Sequence, residues 1–219
     1  MKSKRNYFLY NKKILLCVII VLFIILGTVI VKNVTKKQKS GNNMNSQEIV
    51  DNILNLNSYK AKVKVQVNSN KKQNKYILWQ EYNSENGCIQ EVIEPENIAG
   101  IKITKKENSL IIENTELNLK TIFENYIGLE DNSLDLINFI NEFKENNESY
   151  YEEKNEEIIM ITKSNKENKY LKNKVLYINR ENIIPKKLII QDNNQNTTII
   201  IEYIEIELHW FYIYEYTDF

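Results

Sequence analysis

Chemistry begins with nucleophiles, titratable groups and metal ligands, and this chain holds few of them in usable arrangements. His209 is the sole histidine and stands near the C-terminus, so no Ser/His/Asp or Cys/His set can form within the body of the chain. The two cysteines, Cys17 and Cys88, make no disulfide framework, and neither has neighbours at metal-ligand spacing. No HExxH, DxDxDG or CxxC occurs. The five glycines are scattered, which excludes a P-loop or dinucleotide fingerprint. Carboxylates crowd only at Glu152, Glu153, Glu156 and Glu157, where a solvated hairpin is the ordinary reading and an acid/base pair the exceptional one. The expectation is a protein that is not an enzyme and carries neither cofactor nor metal; a hydrolase built on those glutamates is the remaining catalytic alternative.

Lysine offers a second kind of chemistry. In SYKAKVKVQVNS (58–69), Tyr59, Ala61, Val63, Val65 and Val67 alternate with Lys60, Lys62, Lys64 and Gln66. Such a row is either a basic patch for nucleic acid or membrane, or the wet face of a strand. Charge distribution favours the strand. Residues 1–39 hold nine basic residues and no acid, leaving 40–219 with 20 basic and 29 acidic residues, a net charge of −9. Phosphate attraction is the main source of nucleic-acid affinity, so no nucleic-acid partner is expected. Glu81, Glu91, Glu94 and Glu113, on the neighbouring strands, dilute the patch further.

These groups must be positioned by elements, and the plainest element is apolar. ILLCVIIVLFIILGTVIV (14–31) is uncharged and about 27 Å long as a helix, enough to cross a bilayer core. It is longer than the apolar region of a cleaved signal peptide and no Ala-x-Ala follows it. Leu16 before Cys17 does not suit a lipidation site. The expected layout is a basic cytoplasmic N-terminus (1–13), a transmembrane anchor (14–31), a polar linker (32–45), an extracytoplasmic domain (46–208) and an aromatic extension, HWFYIYEYTDF (209–219). The protein is thus expected at the cell membrane, single-pass, with its C-terminal domain outside. Flanking lysines and arginines number five before the span and four after, so orientation rests on the acidic bulk of the domain. The wealth of Asn, Lys, Ile and Glu suits an AT-rich genome such as that of a low-GC Gram-positive bacterium.

From Ser46 the pattern is globular. Ile49, Val50, Ile53 and Leu54 recur at helical spacing over 47–55. Short strands with turns between them follow, over 58–67, 72–82, 87–95, 99–106 and 109–114; 116–126 reads as strand running into helix. NSLDLINFINEFKENN (132–147) gathers Leu134, Ile137, Phe139, Ile140 and Phe143 on one face, with Asn132 or Ser133 as N-cap. Strands resume over 149–154, 156–164, 173–182, 184–192 and 197–208. About ten strands and two or three helices make an α+β fold, an antiparallel sheet with helices on one side. Several strands are apolar on both faces. Tyr76, Leu78 and Tyr82 point one way and Ile77 and Trp79 the other, while Leu176 and Ile178 alternate with Val175 and Tyr177. Such strands are covered on both sides or line a cavity for a lipid or a partner's apolar segment. The candidate ligand-binding positions are Trp79, Tyr82, Ile101, Ile103, Leu176 and Ile178.

Two stretches carry a resemblance. QEVIEPENIAGIKITKKENSLIIENTELNL (90–119) and LYINRENIIPKKLIIQD (176–192), with NSLDLINFINEF between them, resemble the LolA-like proteins (LolA, LolB and RseB), and within them the clostridial germination lipoproteins of the GerS type. The match covers about 46–208. It implies a curved half-barrel sheet wrapped over helices, and a binding or regulatory role at the cell envelope without catalysis. It further implies a link to spore germination or cortex peptidoglycan through a partner cell-wall amidase or other envelope protein. The alternative it implies is a carrier or sensor holding a lipid acyl chain in the concave face. Two departures limit the transfer: no lipobox occurs here, and a Gram-positive host has no outer membrane to which lipoproteins could be carried.

Overall fold

A computed structural model describes residues 44–210 apart from 70, 107–108, 115, 126–133 and 165–169. The expected anchor at 14–31, the segments on either side of it up to residue 43, and residues 211–219 of the aromatic extension lie outside the described residues. Among the described residues no helix is long and apolar enough to cross a membrane.

Eleven strands form one open, curved antiparallel sheet. In chain order they are β1 (Leu56–Asn68), β2 (Gln73–Asn83), β3 (Gly87–Glu94), β4 (Ile101–Lys106), β5 (Ser109–Asn114), β6 (Leu119–Phe123), β7 (Tyr150–Lys154), β8 (Glu157–Lys163), β9 (Asn173–Asn179), β10 (Pro185–Gln191) and β11 (Thr197–Trp210). Their spatial order is β6-β5-β4-β3-β2-β1-β11-β10-β9-β8-β7. Two meanders, one from each half of the chain, therefore join along a central seam between the first and last strands. Among the described residues two α-helices, α1 (Ser46–Leu54) and α2 (Leu136–Glu145), accompany the sheet, and a short 3-10 turn at Glu96–Ile98 links β3 to β4.

Both helices begin where the side chains dictate. Asn45 caps α1: its Oδ1 accepts from the Glu48 amide at 2.9 Å, and its own amide donates to Glu48 Oε2 at 3.0 Å. That reciprocal box satisfies two of the amides a helix start leaves without partners. Asp135 caps α2, accepting from the Asn138 amide at 2.8 Å. The next amide, Leu136, donates to Tyr59 Oη at 3.1 Å. The cap is therefore Asp135 and not Asn132 or Ser133, and the phenol of β1 takes up the first helical amide. Asn146 Nδ2 donates to the Lys163 carbonyl at 2.8 Å just past its other end.

The alternation in β1 is realised. Tyr59, Ala61, Val63 and Val65 are buried and share one core with Ile49, Val50 and Ile53 of α1 and Leu136, Phe139 and Ile140 of α2. Lys60, Lys62 and Lys64 stand opposite Glu207, Glu205 and Glu202 of β11, and Lys60 also faces Glu81 of β2. Lys64 Nζ lies 2.8 Å from Glu202 and Lys60 Nζ 3.2 Å from Glu81. The row is the solvated face of a strand, each lysine matched to an opposite charge. Exposed pairs of this kind contribute about 0–1 kcal/mol each, so they select register more than they stabilise.

Curvature comes from bulges. The β1/β11 register shifts between Lys62 and Val63, leaving Ile204 unpaired and exposed; the β2/β3 register shifts between Ile77 and Leu78. At the β2–β3 hairpin, Gly87 has φ of +78°, and a Cβ there would come within 2.1 Å of the Lys105 carbonyl oxygen. Only glycine lets β3 approach β4 so closely.

α2 is tied to the sheet by a buried ion pair. Lys174 of β9 is 1% exposed; its Nζ lies 2.6 Å from Glu142 Oε2 and 3.0 Å from Asn138 Oδ1. Glu142 Oε1 accepts from Ser164 Oγ at 3.0 Å.

Candidate functional site

The helices pack against part of the sheet. The core cluster draws its buried residues from α1, α2, β1, β2, β8–β11 and the β9–β10 turn (Ile183), and none from β4–β6. Beyond β3 the sheet therefore continues without helical cover among the described residues. Every residue of β4 except Lys106, and every residue of β5, is only half-buried, and all of β6 is exposed.

This open end is mainly apolar on its inner face, while its reverse face is mostly polar, with Lys102, Thr104, Glu113 and Lys120 around Ile111 and Ile122. Register places Ile103 of β4 opposite Ile112 of β5, and Ile112 opposite Thr121 of β6. Leu110 faces Phe123, and Asn114 faces Leu119, on the same side. Cys88, Gln90 and Val92 continue that face into β3. Ile111 and Ile122 pair on the reverse face. Leu119 is 61% and Phe123 45% exposed, with Leu117 and Ile122 exposed beside them. Leu119 and Phe123 thus extend the inner apolar face to the sheet's edge, and exposed apolar surface of this kind marks interaction sites.

Where this open end meets the helices, phenols gather. Tyr59 and Tyr82 lie ring to ring at 6.1 Å, directly opposite on β1 and β2. Gln80, fully buried beside them, donates from Nε2 to the Leu134 carbonyl at 2.9 Å; its Oε1 has no partner. Burial holds the Tyr59 phenol well above its ordinary titration range, and the carboxylate of Asp135 adds to the shift. Tyr82 is raised by the same two influences to a smaller degree, with Cys88 ranking before Asp135.

Tyr203 of β11 is half-buried by area, yet its hydroxyl is enclosed and without a partner. Burial, then Asp135, raises its pKa too. The folded chain therefore binds this proton more tightly than the unfolded chain, whose phenol titrates near about 10. That contribution to stability is full below about pH 10 and is lost as the pH rises above it. Tyr203→Phe is expected to leave stability near neutral pH almost unchanged, because the hydroxyl it removes makes no hydrogen bond. It should also flatten the alkaline fall in the urea midpoint. An alkaline fall as steep as the parent's would show that Tyr203 is not its source.

The six positions singled out in the sequence are not brought together. Ile101 and Ile103 lie on β4 in the open end, and Tyr82 on the same face of β2. Leu176 and Ile178 are fully buried core residues of β9. Trp79, 45% exposed, lies opposite Lys62 and Glu91, on the reverse face from Tyr82. Leu119, Ile122 and Phe123 escaped notice because 116–126 reads as strand passing into helix. The signal available was the β-branched and aromatic make-up of LKTIF with its single charge, since its apolar residues do not alternate.

Two of the clustered glutamates, Glu153 and Glu157, sit in structural pairs. Glu153 accepts from Ser46 and lies 2.7 Å from Arg180 Nε; Glu157 pairs with Lys186. Asn155 and Glu156 form the tight β7–β8 turn, both with positive φ. A trough of about 650 Å³ crosses the outer face of β7–β10, floored by Ile159, Ile161, Val175 and Tyr177 and edged by Glu152, Lys154 and Lys163. Among the described residues no three His, Cys, Asp or Glu side chains could hold a metal ion.

Comparison with known proteins places this geometry. The family described as sporulation protein YdcC-like matches residues 11–209. Among solved structures, the complex of the CwlD amidase from Clostridioides difficile with the GerS lipoprotein matches at 23% identity and a TM-score of 0.50, over 74% of this chain and 93% of that one. The LolA superfamily protein NE2245 from Nitrosomonas europaea matches at 11% identity and a TM-score of 0.40, over 76% and 94%. An uncharacterised conserved protein from Thermus thermophilus matches at 12% identity and 0.48, over 76% and 89%. No curated protein matches. The resemblance carried by the stretches at 90–119 and 176–192 is met in the fold shared with the GerS complex and in the match to the sporulation family.

Proposed function

This chain belongs to the YdcC-like family of sporulation proteins, and from that premise we propose that it is a non-enzymatic binding or regulatory protein of the cell envelope. Its working surface is the uncovered end of the sheet, and its partner is a protein. The observation that carries this reading is the sheet that outruns its helices, presenting Ile101, Ile103, Ile112, Leu119 and Phe123 on a face that no described element covers. A cell-wall amidase is the partner class we favour. The neighbouring complex pairs the GerS lipoprotein with the CwlD amidase, and a half-buried sheet face is a surface a folded partner can dock on. We place the protein at the membrane, held by residues 14–31 with its acidic domain outside; the family match begins at residue 11 and takes in that run.

The lipid-carrier reading has less to rest on. Leu176 and Ile178, two of the positions that would line an acyl groove, are packed with Phe139 and Ile140 in the core.

The test is affinity purification of the full chain from sporulating-cell membranes, followed by native mass spectrometry. A stoichiometric cell-wall amidase is expected, with its recovery cut roughly tenfold by Ile101→Glu with Ile103→Glu, a loss of about 1.4 kcal/mol. A co-purifying lipid mass without a protein partner would overturn this in favour of the carrier. A chain that brings down neither would overturn both.

A further inference from the structure

An open sheet has two edges, and here they are treated differently. The β7 edge is guarded: Glu152, Glu153 and Lys154 occupy three of its five positions, and Glu153 is engaged by Arg180 and Ser46. Charges on an edge strand are the usual defence against pairing with another chain. The β6 edge is bare. Its sequence, LKTIF, carries one charge, and Lys120 Nζ lies 2.7 Å from Glu113 of its own β5. No described strand pairs with its far side.

We propose that β6 is a homodimer edge, pairing antiparallel with β6 of a second copy about a two-fold axis through Thr121. The geometry points to a second copy because the strand is complementary to itself. With Thr121 opposite its symmetry mate, Leu119 falls opposite Phe123 of the other copy, and Lys120 opposite Ile122. Each pair lies on one face of the joined sheet, because an antiparallel two-fold preserves the side-chain alternation. On the inner face the row Leu110–Phe123 continues into Leu119 and Asn114 of the second copy. No like charges oppose each other, and each Lys120 keeps its Glu113. The same operation on β7 would set two Glu152 carboxylates opposite each other, which is destabilising. Pairing would cover the exposed Leu119, Ile122 and Phe123 and leave the inner face of β4 and β5 open. This inference stands independently of the partner proposed above, and its test reads a different quantity.

The test is proximity between copies in the full chain, in membranes, with a short thiol-specific cross-linker and Cys17→Ser as the parent background. T121C is expected to give a covalent dimer, and E152C on the guarded edge none above the parent. L119C and F123C should cross-link strongly only when co-expressed, because like positions are about four residues, or roughly 14 Å, apart along the paired strands. T121K should reduce the L119C/F123C product at least tenfold, and supplying T121E in the second copy should restore it. That rescue also shows that both variants fold. Three results would overturn the proposal: T121C no better than E152C, L119C alone as effective as the mixed pair, or no rescue by the opposite charges. A strand from a different protein captured on β6 in place of a second copy would overturn it equally.

Discussion

Replacing Lys174 with methionine is expected to destabilise the domain by about 3–5 kcal/mol, the cost of leaving one member of a buried pair without its counter-charge. Its ammonium lies 2.6 Å from Glu142 Oε2 and is closed off from solvent, being 1% exposed. The carboxylate left behind would keep Ser164 Oγ as a donor, but one neutral hydroxyl cannot replace a cation in a low-dielectric interior. Natural domains are stable by about 5–15 kcal/mol, so the loss is a large share of the total and should be plain in a urea midpoint. Removing both charges, Lys174→Met with Glu142→Leu, should recover most of it, because the attraction within such a pair largely offsets the cost of desolvating it. A single substitution with an unchanged midpoint would mean that the pair is solvated in solution.

Phe139→Ala is expected to cost a similar amount, about 3–5 kcal/mol, for a different reason. Phe139 is fully buried at the centre of α2, with Phe143 at 6.0 Å between ring centroids. Truncation removes apolar burial and leaves a cavity that a helix pinned at both ends cannot close: Leu136 is held by Tyr59 at one end and Asn146 by Lys163 at the other. The midpoint should fall with no change in the dependence on denaturant concentration. A loss below about 1 kcal/mol would show that α2 collapses into the space, and that its seat on the sheet is looser than the hydrogen bonds indicate.

How far the sequence foretold this structure depends on the range of the interaction. Period-two alternation sorted β1 into a buried face and a lysine face because both follow from one strand's geometry. The helix at 46–54 was legible for the same reason, its apolar positions lying three and four apart. Strand order was not legible, since no local pattern says that β1 pairs with β11, nor that Lys64 meets Glu202. The bulge at Ile204 arises from that pairing and was equally hidden. Trp79, Leu176 and Ile178 show the limit at the candidate site. Alternation assigns a residue to a face, but whether that face meets a helix, solvent or a partner is decided by elements distant in sequence. Lys174 shares its alternation with Leu176 and Ile178, so its inward position could be read; the carboxylate waiting for it on α2 could not.

The central seam has a consequence for how the chain becomes a protein. β1 and β11 pair from Leu56 with Trp210 to Val67 with Ile199, and Trp210 Nε1 also donates to the carbonyl of Asn52 in α1 at 2.8 Å. The first strand made is therefore completed by the last. On a growing chain, the β2–β6 meander can assemble early from neighbouring hairpins, but one side of β1 stays unpaired until nearly all the rest exists. Contacts of such long sequence separation slow folding, because the loop entropy is lost before the pairing is gained. Until β11 arrives, the half-made sheet has a second bare edge at its middle, richer in valine than the one at β6. Productive folding of this domain thus waits on the arrival of β11, and the interval before it is when the domain is most open to mispairing.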